Sequence, residues 1–195
     1  NIGGVVGSQV AEVIVAAEGL LLADNLQQRP VFATLSRVGR ANNRTATLEQ
    51  NEPRHTGKPG GKSLWLAWRA PTNGIATFTT RGSSFDTLLA VYTNATGNST
   101  LSVTKLGVVA GDDDRGGFFT SEVVFNAVAG TEYSIAIAGF GGATGKIVLS
   151  WNLDPNIAEV PRIFQQPGSQ TVAPGANVTF SVFAASAQPL FYQWV

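Results

Sequence analysis

Apolar and polar residues alternate along much of this chain in short runs, which is the pattern of half-buried β-strands. Turn-forming residues separate the runs at short intervals, as at Asn73-Gly74, at Gly116-Gly117 and in the glycine-rich segment 139–145. No segment shows a sustained i, i+3, i+4 apolar pattern with helix-capping residues. Residues 10–22 come nearest to such a pattern, and Gly19 interrupts it. The pattern therefore predicts an all-β chain with a jelly-roll-like antiparallel β-sandwich. Its strands are predicted at residues 31–38, 64–69, 75–80, 87–92, 101–109, 119–126, 132–138 and 146–152.

The chain divides into three parts by composition. Residues 1–23 are small and apolar without a clear period, and we interpret them as a linker or an N-terminal strand segment. The predicted strands then fill residues 24–155, and a connector with Pro155 and Pro161 leads to new strand candidates from Ile163. The 195 residues thus suit one full domain at 24–155 and an incomplete second one at 156–195.

Charge and composition exclude several classes of protein. The 13 basic and 13 acidic residues cancel, so no summed field attracts the chain to nucleic acid. No uninterrupted apolar run reaches the roughly 18 residues that a membrane-spanning helix needs. The chain has no Cys, so it forms neither disulfides nor a thiolate metal site. We therefore predict neither nucleic-acid binding nor a membrane span.

Several segments between residues 24 and 152 together carry a family resemblance. They are EPRHTGKPGGKSLWLAW (52–68), SFDTLLAVY (84–92), DDD (112–114), VFNAVAGTEY (124–133) and GFGGATG (139–145). In this order they resemble the bacterial pre-peptidase C-terminal (PPC-like) domains. The resemblance implies a β-sandwich appendage on a secreted, often multidomain bacterial protein, and hence a secreted or cell-surface location.

The C-terminal segment resembles the first strands of a bacterial immunoglobulin-like domain. The matching pieces are IFQQP (163–167), QTVAPG (170–175), VTFSV (178–182) and YQW (192–194). Trp194 falls where the core Trp of strand C belongs, and Val182 takes the place of the first Cys of antibody-type domains. Only three or four of about seven strands fit into this segment, so the sandwich needs further strands from the same chain or from another molecule.

Five acidic residues form a candidate calcium site, namely Glu52, Asp86, Asp112, Asp113 and Asp114. Calcium takes about six to eight oxygen ligands, and loops at one edge of a sandwich can converge to provide them. The alternative is structural: Asp86 caps a turn and the three consecutive aspartates form a solvated loop. The order of a glutamate, a Phe-Asp-Thr segment and a later aspartate loop also resembles CUB domains, many of which bind calcium.

The other chemically notable residues favour a structural interpretation. His55 is the single His, so it supports neither a catalytic triad nor a multi-His zinc site, and we interpret it as a hydrogen-bonding loop residue. Trp65 and Trp68 lie three apart on one strand and so point to opposite faces. The outward one is a covered core edge, a platform for sugars or an interface anchor. A glycosidase pair among Glu52, Asp86 and Asp112 has no support beyond composition.

The sequence as a whole predicts a non-catalytic structural or adhesive module of a larger secreted or cell-surface protein. Its partners would be neighbouring domains or other copies of the chain, assembled through strand exchange into a fibre or surface array. The alternative is a carbohydrate- or polymer-binding accessory domain of a secreted hydrolase. No enzyme activity is predicted.

Overall fold

The computed structural model describes residues 19–94, 100–155, 162–186 and 190–193. Within these residues the chain is all-β, as predicted, and its only helical pieces are three-residue 3₁₀ turns. None of the helices found there could cross a membrane. The strands are β1 (Val31–Phe32), β2 (Ser36–Asn42), β3 (Leu64–Arg69), β4 (Gly74–Thr79), β5 (Thr87–Asn94), β6 (Leu106–Asp112), β7 (Glu122–Ala127), β8 (Glu132–Gly139), β9 (Lys146–Asp154), β10 (Arg162–Gln165) and β11 (Phe183–Ala185).

Nine of these strands form a β-sandwich of two sheets. One sheet has the order β1-β3-β8-β5-β6 and the other the order β2-β9-β4-β7. Every pairing within them is antiparallel except that of the short β1 with β3. The predicted β-sandwich is therefore confirmed.

The main core lies between the two sheets. On β9 the buried residues Ile147, Leu149, Trp151 and Leu153 alternate with more exposed ones, so one face of the strand points inward. Within the same sheet, the Trp151 ring stacks on that of its cross-strand neighbour Phe78 on β4, with 5.6 Å between the ring centroids. Aromatic side chains of this size dominate core energetics, and removing one typically costs about 3–5 kcal/mol.

The five-stranded sheet is covered on its outer face as well. Trp65, Tyr92 and Ala136 point away from the main core and form a second buried cluster with Leu26 from the N-terminal loop. Because both faces of β3 are covered, its sequence LWLAW is continuously apolar rather than alternating.

The predicted strand 31–38 is wrong as one element, because the chain changes sheets within it. β1 joins the five-stranded sheet and β2 the four-stranded one. The carbonyl of Thr34 between them accepts the indole N–H of Trp68 at 3.0 Å and that of Trp151 at 3.2 Å, one from each sheet. Two other strands begin later than predicted. Residues 103–105 of the predicted strand 101–109 form a 3₁₀ turn before β6, and β7 begins at Glu122 rather than at Phe119.

The two ends of the described chain differ in how they contact the sandwich. Residues 19–23 lie along it, with Leu20 buried in the main core and Ala23 bonded to Trp65 in both directions at 2.8 and 2.9 Å. At the other end, β10 and β11 form their own two-stranded sheet, and Ser186 N–H donates to Asn126 Oδ1 at 2.8 Å. Residues 1–18, the connector 156–161 and Trp194 lie outside the described residues, so the immunoglobulin-like start stays a prediction.

Candidate metal site

The pairing of β5 with β6 brings two loops together at one end of the five-stranded sheet. These strands are antiparallel, with Leu89 opposite Asp112, so the residue before β5 lies beside the loop that follows β6. Asp86 is that residue, and Asp113 and Asp114 begin that loop. The fold thus brings three of the five predicted ligands together from two segments that are far apart in sequence.

Asp86, Asp113 and Asp114 form a compact carboxylate cluster, called the acidic cluster below. One oxygen from each lies within 4.8 Å of those of the other two. Asp86 and Asp113 are half-buried and Asp114 is exposed. The three carboxylates are therefore close enough for one ion to contact all of them, and the site remains open on the side of Asp114.

Two oxygens of the acidic cluster have no hydrogen-bond partner among the described residues. Asp86 Oδ1 and Asp113 Oδ1 are both shielded from solvent and accept no hydrogen bond. Buried polar atoms are satisfied in the great majority of cases, so each exception needs an explanation. The cation Lys58 meets only the other oxygen of Asp113, with 3.1 Å between Nζ and Oδ2.

The electrostatics of the cluster disfavour three simultaneous negative charges. Burial, followed by the charges of Asp113 and Asp114, raises the pKa of the Asp86 carboxyl, and Lys58 lowers it in part. The protein therefore provides less positive charge here than the aspartates require. A bound divalent cation would remove this imbalance.

Glu52 is not part of the acidic cluster. Its side chain is fully buried, and Oε1 lies 2.9 Å from His55 Nε2 while Oε2 accepts the backbone N–H of Glu49 at 2.9 Å. His55 Nδ1 lies in turn 2.7 Å from the hydroxyl of Tyr92. The prediction of Glu52 as a metal ligand is thus corrected: it belongs to a hydrogen-bonded cluster of Glu52, His55 and Tyr92, in which His55 has the hydrogen-bonding role expected of it.

Asp112 is also used by the protein itself. Its Oδ2 accepts the backbone N–H groups of Arg115 at 2.8 Å and Glu122 at 2.9 Å, and so ties the start of the loop to the start of β7. This is the capping role that a short acidic side chain takes in turns. Of the three consecutive aspartates, only the second and third point into the acidic cluster.

Trp65 and Trp68 point to opposite faces, as predicted, and both are 0% exposed. Each belongs to a different buried cluster, so the outward Trp65 is a covered core residue and not an open platform.

Lys58 is the residue of this site that the sequence pattern did not reveal. It lies in the turn before β3, where Gly57, Pro59 and Gly60 indicate only a change of direction. Its Nζ is also 5.8 Å from the centre of the Phe140 ring, in the loop after β8. A single lysine in a turn forms no sequence pattern that would indicate a site. Its pairing with Asp113 becomes visible only when the three loops are packed together.

Comparison with protein-family models and with curated proteins finds no match to this chain. The resemblances to PPC-like and immunoglobulin-like domains therefore stay predictions.

Proposed function

We propose that this chain is a non-catalytic structural or adhesive module of a longer secreted or cell-surface protein, and that its β-sandwich binds one Ca²⁺ at the acidic cluster. The observation that carries the calcium proposal is the pair of shielded, unpartnered oxygens, Asp86 Oδ1 and Asp113 Oδ1, beside the carboxylate of Asp114.

The chemistry of the donors favours calcium over softer metals. All three donors are carboxylate oxygens, and Ca²⁺ is the common ion that accepts six to eight oxygens at about 2.3–2.6 Å in flexible geometry. Backbone carbonyls and water would supply the remaining ligands. Modules outside the cell bind Ca²⁺ with dissociation constants of about 10⁻⁴–10⁻³ M, which a site with three carboxylates and one open side suits.

The role we assign to the ion is mechanical. Asp86 precedes β5, whereas Asp113 and Asp114 follow β6, so an ion bound to all three would join two loops at one end of the sandwich. Low charge and the predicted tandem arrangement with a second domain support a module that spaces or attaches other parts of a protein.

Thermal unfolding in EGTA and in CaCl₂ tests this proposal. At a Ca²⁺ concentration about 100-fold above the dissociation constant, we expect the melting temperature to rise by about 5–10 °C. Asp86→Asn and Asp114→Asn should abolish the rise. Asp24→Asn is the matched control, because Asp24 accepts hydrogen bonds from Thr47, which is not part of the acidic cluster, and should keep the rise.

A variant with the opposite effect makes the test stricter. Lys58→Gln removes the competing positive charge near Asp113 and should tighten Ca²⁺ binding about 3- to 10-fold by calorimetric titration. The proposed site would be refuted if the wild type showed no calcium-dependent shift in melting temperature and no binding heat. MgCl₂ should have a smaller effect than CaCl₂, because Mg²⁺ requires stricter octahedral geometry.

The carbohydrate-binding alternative has less support. An exposed Trp was its main sequence motive, and Trp65, Trp68 and Trp151 are all buried. Retention of the chain on a glycan array or an insoluble polymer would restore this alternative.

A further inference from the structure

Three buried hydroxyl groups lie beside the acidic cluster, on Thr80, Thr87 and Ser121. All three residues are 0% exposed. Thr80 follows β4, Thr87 begins β5 directly after Asp86, and Ser121 precedes β7. Hydroxyls removed from water in this way are hydrogen-bonded within the protein, so their partners show which parts of the chain they hold together. We call these three side chains the hydroxyl cluster.

The Ser121 hydroxyl bridges the two segments that supply the acidic cluster. Its Oγ lies 2.6 Å from the backbone carbonyl oxygen of Thr87 and 3.0 Å from that of Asp113. Thr87 is the chain neighbour of Asp86, and Asp113 is itself a member of the acidic cluster. One hydroxyl therefore fixes the backbone on both sides of the candidate metal site, and it does so through carbonyls rather than through the carboxylates.

The other two hydroxyls leave the Ser121 proton available for these carbonyls. Thr80 Oγ1 lies 2.6 Å from Thr87 Oγ1, which lies 3.0 Å from Ser121 Oγ. Each hydroxyl has one proton to donate and two lone pairs that accept. When Ser121 donates to the carbonyls, Thr87 donates to Ser121 and Thr80 donates to Thr87. Thr80 Oγ1 also accepts the backbone N–H of Ser121 at 2.8 Å, so every proton of the hydroxyl cluster has an acceptor.

The acidic cluster itself works against this arrangement. One oxygen from each of its carboxylates lies within 4.8 Å of the others, and like charges at such distances repel. Without an ion, this repulsion pushes the segment before β5 away from the loop after β6. The Ser121 hydroxyl opposes that separation, because it is shared by one carbonyl from each segment. The ligands then stay close together before the ion arrives, and binding does not have to order them.

From this geometry we infer that Ser121 is a positioning residue of the proposed Ca²⁺ site, whose hydroxyl keeps Asp86 and Asp113 at a separation that one ion can bridge. The inference rests on the calcium proposal above and adds a residue that touches neither the ion nor its carboxylates. Groups that orient metal ligands from outside typically contribute about 10- to 100-fold to metal affinity. Since Ser121 acts through the backbone, we expect about 10-fold.

An NMR titration of the whole chain with CaCl₂ at constant ionic strength tests this inference. Ser121→Ala keeps the backbone bonds between Ser121 and Thr80 and loses only the hydroxyl. Its dissociation constant should be about 10-fold higher than that of the wild type. In EGTA its melting temperature should fall by about 2–6 °C, because the two carbonyls lose their donor. Ser121→Cys, whose thiol is a weak donor, should give an intermediate dissociation constant.

Two matched variants separate positioning from a general loss of stability. Ser134→Ala makes the same chemical change at a buried serine of β8, which lies opposite Tyr92 and so toward the other end of β5 from Thr87. Ile135→Val removes one buried methyl group from the main core and should lower the melting temperature about as much as Ser121→Ala does. Both variants should bind Ca²⁺ within about 2-fold of the wild type, because distant sites act independently.

The inference is overturned if the wild type binds Ca²⁺ and Ser121→Ala binds it with the same dissociation constant. It is equally overturned if Ile135→Val weakens binding as much as Ser121→Ala, because the effect then follows stability alone. If the wild type itself binds no Ca²⁺, the calcium proposal fails and this inference fails with it. The wild-type titration therefore distinguishes failure of the site from failure of the role assigned to Ser121.

Discussion

Glu52 and two members of the acidic cluster, Asp86 and Asp113, all have carboxylate oxygens shielded in loops of the same sandwich, yet their surroundings are opposite. Both oxygens of Glu52 are met by the protein, through His55 Nε2 and the backbone N–H of Glu49. In the acidic cluster, Asp86 Oδ1 and Asp113 Oδ1 have no partner among the described residues.

The difference shows what separates a structural carboxylate from a candidate ligand. A shielded carboxylate is stable only when hydrogen bonds or opposite charge replace the water it has lost. Around Glu52 the fold supplies those groups, so no ion is needed. At the acidic cluster, Lys58 pairs with Asp113, and Asp86 Oδ1 and Asp113 Oδ1 stay without partners among the described residues, so an external cation would have a role to fill.

The largest effect should come from removing His55. His55→Ala leaves Glu52 Oε1 and the Tyr92 hydroxyl buried without their partner. We expect a loss of about 3–5 kcal/mol in the free energy of unfolding, measured by urea denaturation. Arg54→Ala, at the exposed neighbour, should stay within about 0.5 kcal/mol of the wild type. A loss below about 1 kcal/mol for His55→Ala would mean that the Glu52 cluster is not a structural network.

A smaller effect should follow from Asp112→Ala. The carboxylate accepts two backbone N–H groups, and we expect a loss of about 1.5–3 kcal/mol in unfolding free energy in EGTA. The exposed Asp114→Ala should lose at most about 0.5 kcal/mol under the same conditions. Calcium response should show the reverse order, with the rise in melting temperature kept in Asp112→Ala and lost in Asp114→Ala. Equal behaviour of the two variants would remove the distinction between capping and cluster aspartates.

The smallest effect should be the pH dependence of Asp86. Burial and the charges of Asp113 and Asp114 raise its pKa in the folded state above the ordinary 3.8. The folded protein then keeps a proton that the unfolded chain has lost, so this contribution is full below pH 3.8 and falls as pH rises through the raised pKa. In EGTA, Asp86→Asn should therefore gain about 0.5 kcal/mol relative to wild type between about pH 3.5 and pH 7.

The check is urea denaturation at both pH values. In CaCl₂ at neutral pH the order should reverse, with wild type more stable than Asp86→Asn, because the carboxylate then has its cation. A relative stability of the two proteins that does not change with pH in EGTA would contradict the electrostatic account of the cluster.

Part of the candidate site could be predicted from sequence. Calcium chemistry selects acidic residues near strand ends, and this criterion found Asp86, Asp113 and Asp114 together with Glu52 and Asp112. It could not tell ligands from caps, because that depends on which backbone N–H groups face each carboxylate. Likewise, Ser121 lies within the predicted strand 119–126, and nothing in the pattern shows that its hydroxyl bridges two segments of the site.

By itself the sequence determined the strand content, because alternation of apolar residues with frequent turns leaves no stable alternative to sheets that share a buried face. Most strand positions follow from that local pattern. Tertiary structure decided the change of sheets at Thr34, the burial of both Trp65 and Trp68, and which of the five carboxylates join the acidic cluster. Each of these features depends on contacts between residues that are far apart along the chain, and a local sequence pattern cannot indicate which of those residues come into contact.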